Sequence, residues 1–277
     1  MVYQVNREVV VLLGWGRAIL LQLAHPLVAA AVSQHSDFGT GLIPYLRRTH
    51  RTVTSMLSLT FGTDDQVHRT AHRINAIHRR VHGHLEQATP RFPSGTPYSA
   101  TDSDLLRWVH VTLIDSQIRS YELFVEPMSV EEKDRYCAES ANLAPLLNIP
   151  PSTLPTNNRE LTGQLQYGIR DGGSQVTEAA RALADDLLFP PGGIFPRSAM
   201  AFGRLVTAGL LPPPLREAYG LAWSARRAAI LDRSARAIRQ ARRLTPSLLR
   251  QWPASRRRPV EVERAVCPLS GRDASVK

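Results

Sequence analysis

Apolar side chains recur every three or four residues along most of the chain, which is the spacing of amphipathic α-helices. No stretch alternates apolar and polar residues for long enough to predict a sheet. We therefore predict an all-α protein of about 8–11 helices, arranged as an orthogonal bundle. The clearest amphipathic stripe lies near the C-terminus and consists of Leu221, Ala225, Ala228, Leu231, Ala235 and Ile238.

Caps and breaking residues place most of the helix boundaries. The first helix is predicted over Asn6–Ala24, and Pro26 opens the second as its first residue. A Gly-rich connection at Gly39 and Gly41 leads to a helix over Pro44–Phe61. Further predicted helices run from the Thr63-Asp64 cap to about Leu85, from Thr101 or Asp102 to about Val125, and from a Ser129/Glu132 capping box to about Leu147.

The chain is predicted to form a single domain. Prolines interrupt the pattern at Pro150–Pro155 and Pro190–Pro196, but no repeat or long linker divides the body. Residues 1–253 make up the predicted helical domain, and residues 254–277 a basic, disordered tail.

Composition limits the classes of function. The chain has 277 residues and 43% hydrophobic residues, enough for a core without disulfides or structural metals. Cys137 and Cys267 have no zinc-binding spacing, which favours a reducing compartment. The net charge is +10, but only Lys133 and Lys277 are lysines, so arginine supplies nearly all of it. Such a bias is typical of a GC-rich coding sequence, and we favour a solvated basic surface over a nucleic-acid site.

The segment Val9–Val32 is strongly apolar but is interrupted by Arg17, Gln22, His25 and Pro26. Charged groups are costly inside a bilayer, so we interpret the segment as a buried core helix. We expect a cytoplasmic protein, and peripheral contact with a membrane stays open.

All nine histidines lie between His25 and His110. Four of them (His68, His72, His78 and His82) share about a third of the circumference of one predicted helix. Of these, His78 lies at the edge of the apolar stripe and is the one expected to reach the core. His25, His35 and His110 also lie in apolar helical surroundings, and several converging imidazoles indicate a metal or haem site.

Two metal geometries compete at this point. His68 and His72 form an i,i+4 pair that suits zinc or iron, but no HExxH motif supplies a general base. A single buried histidine beside an apolar pocket suits an axial haem ligand better, and Arg47-Arg48-Thr49 is a candidate source of the polar groups that a haem needs. The alternative interpretation of Arg47-Arg48-Thr49 is an ordinary charged helix face. Dinucleotide, P-loop and nucleophile-elbow motifs are missing from the sequence.

A set of ordered motifs resembles one particular family. It contains the rubber oxygenase called latex clearing protein and the endoplasmic-reticulum-bound, MpaB-like oxygenase of mycophenolic acid biosynthesis. The resemblance spans about residues 9–250. The motifs are Gly14-x-Gly16-Arg17-Ala18, Leu21-Gln22-Leu23-Ala24-His25-Pro26-x-Val28-Ala29, His35-Ser36, Leu46-x-Arg48-Thr49, Phe61-Gly62-Thr63, Ile77-His78-x-x-Val81-x-Gly83, Tyr98-x-Ala100-x-Asp102, Leu105-Leu106-x-Trp108-Val109-His110, Thr112-Leu113 and Gly209-Leu210-Leu211-Pro212.

The resemblance implies an all-α oxygenase that binds haem b, an iron cofactor, and uses dioxygen on an apolar substrate. By motif position, His78 resembles the proximal haem ligand, and Arg48 and Thr49 resemble the distal basic residue and threonine. The remaining candidates for the cofactor pocket, as lining residues or as support for ligands and propionates, are His25, His35, His82 and His110.

This chain departs from the family pattern at three positions. Tyr45 stands where an arginine is common, His82 where many relatives have arginine, and Gln34 where a glutamate is expected. The chain also lacks the extra segments expected around a polymer-binding core, so we expect a smaller, isoprenoid-like substrate rather than rubber. The alternatives are a haem-binding or sensor protein without turnover, a non-haem metal enzyme using His68 and His72, and a helical nucleic-acid binder.

Overall fold

The computed structural model describes residues 1–35, 42–171, 173–190 and 197–256. Within these ranges it is an all-α domain, as predicted, with one minor two-stranded sheet. The connection at Gly39 and Gly41, Cys267 and residues 257–277 of the predicted tail lie outside the described residues, as do residues 191–196. The α-helices are α1 (Val2–Asn6), α2 (Trp15–Leu23), α3 (Pro26–His35), α4 (Leu42–Phe61), α5 (Asp64–His78), α6 (Ser103–Phe124), α7 (Val130–Ala141), α8 (Asn158–Arg170), α9 (Glu178–Leu188), α10 (Arg197–Leu210), α11 (Pro213–Ala218), α12 (Ala225–Leu244) and α13 (Ser247–Arg250).

The helix count of thirteen in the described ranges exceeds the 8–11 expected, because the four-to-six-residue helices α1, α11 and α13 are too short to produce a periodic pattern. The predicted caps are confirmed where the structure describes them. Pro26 begins α3, Thr63 and Ser129 form capping boxes, and Asp102 accepts hydrogen bonds at the start of α6.

The prediction of one helix over Asn6–Ala24 was wrong. The chain forms α1, then a 3₁₀ helix over Val9–Gly14, and then α2. The break lies at Glu8, whose backbone is extended and whose side chain is only 1% exposed. Arg242 of α12 donates two hydrogen bonds of 2.9 and 3.0 Å to this carboxylate, and Gln251 donates a third of 3.1 Å. Burial alone would raise the pKa of Glu8, but these donors outweigh it and hold the pKa below its usual value.

The apolar N-terminal segment is core, as predicted. Leu20, Leu21 and Ala24 are fully buried and pack with residues of α6, α8 and α9. Among the described residues, no single helix is long and apolar enough to cross a membrane. The 3₁₀ helix and α2 together with α3 would pass by length and composition as a pair, but they meet at a bend of 105°.

Helix α2 packs closely against α6 and α10 because two glycines leave room for them. A Cβ at Gly14 would lie 2.7 Å from the carbonyl oxygen of Ser116, and one at Gly16 would clash with Thr207. This approach brings the fully buried Arg17 to the Asp115 carboxylate at 2.5 Å. Arg17 also donates hydrogen bonds to Ser116 Oγ (2.6 Å) and to the Leu210 carbonyl oxygen (2.7 Å), which joins three helices.

The predicted helix from Asp64 to Leu85 ends early, at His78. Residues His82–His84 form strand β1, which pairs antiparallel with β2 (Pro97–Ser99), and Gly83 lies opposite Tyr98. His82 is therefore an exposed strand residue and not the fourth histidine of a helical arc. Each strand has only three residues, too few for the alternation that sequence analysis requires.

The end of α7 also differs from prediction. Helix α7 ends at Ala141 instead of Leu147, and Pro145–Leu147 forms a separate 3₁₀ helix that ends at Asn148 with a φ of 57°. The last described residues form a 3₁₀ helix over Pro253–Arg256, in which Ser255 is buried.

The Arg17–Asp115 pair generates a stability prediction. Arg17→Met should lower the free energy of unfolding by about 3–5 kcal/mol, because it leaves a buried carboxylate short of its main partner. Arg119→Met is the matched control, since Arg119 bonds the same carboxylate at 2.9 Å but is 49% exposed, and it should cost no more than about 1 kcal/mol. Urea unfolding measures both values, and equal losses would contradict the structural role given to Arg17.

Candidate functional site

A largely apolar cavity of about 280 Å³ lies between α3, α4, α5 and α6. Its volume is close to the lower end of the range of about 300–1,000 Å³ found for small-molecule and cofactor sites. The apolar lining consists of Val28, Ala31, Val32, Ile77, Val81, Ala100, Leu105, Leu106 and Val109. The polar lining consists of Gln22, His35, Arg48 and His78.

His78 is the last residue of α5 and is half-buried at the cavity. The end of α5 is held by Asn75, whose side chain donates a 2.8 Å hydrogen bond to the Leu146 carbonyl oxygen. Burial lowers the pKa of His78 below its usual value, so the imidazole is neutral at neutral pH. Its ring has no hydrogen-bond partner among the described residues. A neutral, unengaged imidazole at an apolar cavity is well suited to bind a metal centre.

Arg48 lies on α4 and reaches the same cavity, so the fold brings together two residues 30 positions apart in the sequence. The neighbouring Thr49 has an exposed side chain and is not among the residues that line this cavity. Tyr45 is on α4 as well, but its side chain lies outside the described part of the structure.

His35 lines the cavity from the last turn of α3, but its ring is already engaged. Its Nε2 atom lies 3.0 Å from the carbonyl oxygen of His82, and its ring meets Tyr98 edge-on at 6.2 Å between centroids. His35 thus ties α3 to the β-hairpin. The side chain of His82 is exposed and does not line the cavity.

Gln34 also connects α3 to the β-hairpin, a contact that sequence analysis did not predict. Its Nε2 donates to the His84 carbonyl oxygen (3.3 Å) and to Glu86 Oε1 (3.1 Å), and its Oε1 accepts from the Tyr98 hydroxyl. A Cβ at Gly83 would lie 2.6 Å from the Tyr98 hydroxyl oxygen, so glycine is needed there. Gln34 does not line the cavity.

His25 and His110 are half-buried and lie outside this cavity. Burial lowers the pKa of each to about 4, so both rings are neutral at neutral pH. His25 Nδ1 and His110 Nε2 are buried without a hydrogen-bond partner among the described residues. His25 lines a separate cavity of about 320 Å³ beside Trp108 and Gln164. His110 follows the cavity residue Val109 on α6.

His68 and His72 are exposed on α5, and His68 Nδ1 is 2.8 Å from the Asp64 carbonyl oxygen. In the part of the chain that the structure describes, no group of three or more His, Cys, Asp or Glu residues could hold a metal ion. The geometry therefore offers no third ligand there for the His68/His72 alternative. Cys137 is buried, and burial raises the pKa of its thiol to about 12, so it is no nucleophile.

Comparison with known proteins identifies the family of this chain. The profile described as "ER-bound oxygenase mpaB/B'/Rubber oxygenase, catalytic domain" matches residues 3–240. The chain belongs to this family. No curated protein and no solved structure gave a match. Membership in the rubber oxygenase/MpaB family supports an oxygenase-like role that uses dioxygen and a small-molecule substrate.

The lowered pKa values of His25 and His110 generate a pH prediction. With folded pKa values near 4, His25 and His110 bind fewer protons than in the unfolded chain, where their pKa is near 6.5. Stability is therefore complete above about pH 7 and falls as the pH drops from about 6.5 to 4, by up to about 3 kcal/mol per histidine. Urea unfolding of the His110→Gln variant should show a shallower loss across this range. A slope identical to that of the original protein would contradict the assignment.

Proposed function

We propose that this protein is a haem-b-dependent oxygenase that oxidises an apolar, isoprenoid-like small substrate with dioxygen. Haem is bound in the α3–α6 cavity, with His78 as its proximal ligand. The observation that carries the proposal is the state of His78: a neutral imidazole, without a protein partner in the described residues, at the wall of a mostly apolar cavity. Membership in an oxygenase family supports the chemistry.

The residues present fit such a cofactor. The porphyrin ring is apolar, and nine of the thirteen lining residues offer only aliphatic side chains. The propionates are anionic, and Arg48 carries a permanent positive charge at the cavity wall. When bound, haem b supplies the redox-active iron at which oxygen is activated.

The chain's own residues define the reaction environment. His78 supplies a ring nitrogen to the cofactor. The hydrogen bond from the Asn75 side chain to the Leu146 carbonyl oxygen holds the end of α5, and with it the His78 ring, in place. The aliphatic walls exclude water and accept an apolar substrate. Arg48 orients a negatively polarised oxygen or a propionate through its guanidinium donors, and it keeps its charge at every physiological pH. Thr49 stays a candidate through its motif position, with an exposed side chain in the structure.

Gln34 bears on the type of reaction. An amide does not act as a general base, and this one is hydrogen-bonded to Tyr98, His84 and Glu86. A cleavage reaction that needs a carboxylate base at this position is therefore disfavoured.

The cofactor proposal is tested on purified protein supplemented with haem. The original protein should show a strong Soret band, and His78→Ala should lose or shift that band because the proximal nitrogen is gone. His72→Ala is the matched control, since His72 is exposed on the same helix and should leave the spectrum unchanged. A protein that stays colourless after haem supplementation would reject the haem proposal.

Turnover is tested separately by oxygen consumption with small alkenes. Arg48→Ala should keep the Soret band but lower oxygen uptake by roughly 10²–10³-fold, the usual effect of removing one charge-stabilising donor. Arg47→Ala is the control and should behave like the original protein, since Arg47 is the neighbouring arginine and does not line the cavity. Haem binding without oxygen uptake for any alkene would favour the alternative of a haem-binding or sensor protein.

A further inference from the structure

Helix α12 presents a stripe of arginines on its outer side. The inner side is set by Leu231 (5% exposed) and Ala235 (1% exposed), which pack against Phe124 and Val206. At about 100° per residue, the opposite side carries four arginines within an arc of roughly 100°. These are Arg226, Arg233, Arg236 and Arg243, and all four side chains are exposed.

Large apolar side chains are exposed beside this stripe. Ile230 is 42% exposed, and the end of α12 and the following α13 expose Leu244 (88%), Leu248 (62%) and Leu249 (76%). Three exposed leucines within six residues form an apolar cluster of a kind that marks interaction sites on protein surfaces. We call the four arginines with these four apolar residues the arginine–leucine face.

The leucines of the arginine–leucine face lie on a segment that is anchored to the rest of the protein. Downstream of α13, the Trp252 amide donates to the Arg7 carbonyl oxygen at 3.0 Å, and Gln251 donates to the buried Glu8. Arg256 donates back to the Leu248 carbonyl oxygen. The leucines are therefore held outward on an anchored turn, and their exposure follows from the packing of the chain around them.

The charge of residues 225–250 indicates the kind of partner. Residues 225–250 contain eight arginines and one acidic residue, Asp232. Arg242 and Arg250 lie beside Glu8, and Arg239 donates to the Leu123 carbonyl oxygen. The other five arginines are exposed. Arginines alone would suit any polyanion, but exposed leucines contribute nothing to contacts with nucleic-acid phosphates. A cationic stripe beside a protruding apolar cluster matches the interface of an anionic bilayer, where headgroups attract the arginines and acyl chains accept the leucines.

We propose that the arginine–leucine face docks this protein peripherally onto membranes that contain anionic lipids. The leucines insert at the headgroup–acyl boundary, and the arginines contact the lipid phosphates. This inference does not depend on the haem proposal, because the arginine–leucine face contains none of the residues that line the α3–α6 cavity.

The test is co-sedimentation of the full-length protein with phosphatidylcholine vesicles, with and without phosphatidylglycerol. We expect binding only to the anionic vesicles. Arg233→Gln/Arg236→Gln should weaken that binding by at least about tenfold, since each arginine near an anionic surface contributes roughly fivefold. Leu248→Ser/Leu249→Ser should also weaken it several-fold, although the charge is unchanged. Arg159→Gln/Arg170→Gln on α8 removes two other exposed arginines and should leave binding intact.

Several results would overturn the proposal. Equal loss in the α8 control would show unspecific attraction by net charge. Unchanged vesicle binding of the leucine variant would show that the leucines do not contribute to docking. Salt-sensitive binding to duplex DNA that is tighter than binding to the anionic vesicles would assign the arginines to nucleic acid. A dimer that the leucine variant converts to monomers in light scattering would make the face a self-association surface. Thermal unfolding and the far-UV circular dichroism spectrum of each variant verify that the fold is intact.

Discussion

The buried ion pair between Arg17 and Asp115 is the constraint around which the helices are arranged. A charged guanidinium is costly in a protein interior unless its donors are satisfied, and Arg17 finds the Asp115 carboxylate, a serine hydroxyl and the Leu210 carbonyl oxygen. These partners lie on α6 and α10, so α2 can take only one depth and one rotation between them. Gly14 and Gly16 remove the side chains that would prevent this approach.

The position of α6 in turn defines the candidate site. Its C-terminal half carries Asp115 and Ser116, and its N-terminal half presents Leu105, Leu106 and Val109 to the cavity. Trp108, on another side of the same helix, donates a 3.2 Å hydrogen bond to the Leu21 carbonyl oxygen and so links α6 to α2 again. The cavity wall is thus continuous with the most constrained part of the core, which favours a preformed pocket.

Many residues shared with the oxygenase family have structural explanations here. Gly209 makes room for Leu231 and Trp223 of the C-terminal region, and Asp102 caps α6. His35 and Tyr98 fasten the β-hairpin to α3, and Gly83 leaves room for the Tyr98 hydroxyl. Four polar motif residues, Gln22, His35, Arg48 and His78, line the cavity together with aliphatic residues from the same motifs. The motifs therefore describe both the scaffold and the cavity wall.

The sequence by itself determined the features that depend on neighbouring residues. Helical periodicity showed the fold class, caps showed the starts of α5, α6 and α7, and the edge of an apolar stripe pointed to His78. The order of motifs indicated the family that the profile match confirms.

The tertiary structure decided what depends on distant partners. Glu8 breaks the first helix because Arg242, more than 230 residues away, bonds its carboxylate. Residues 82–84 form a strand because β2 pairs with them, although their local pattern continued a helix. Which histidines meet is likewise a matter of packing. His78 and His35 share one cavity, His25 lines another, and His82 is exposed, because side-chain direction follows from how helices and hairpin pack and not from spacing along the chain.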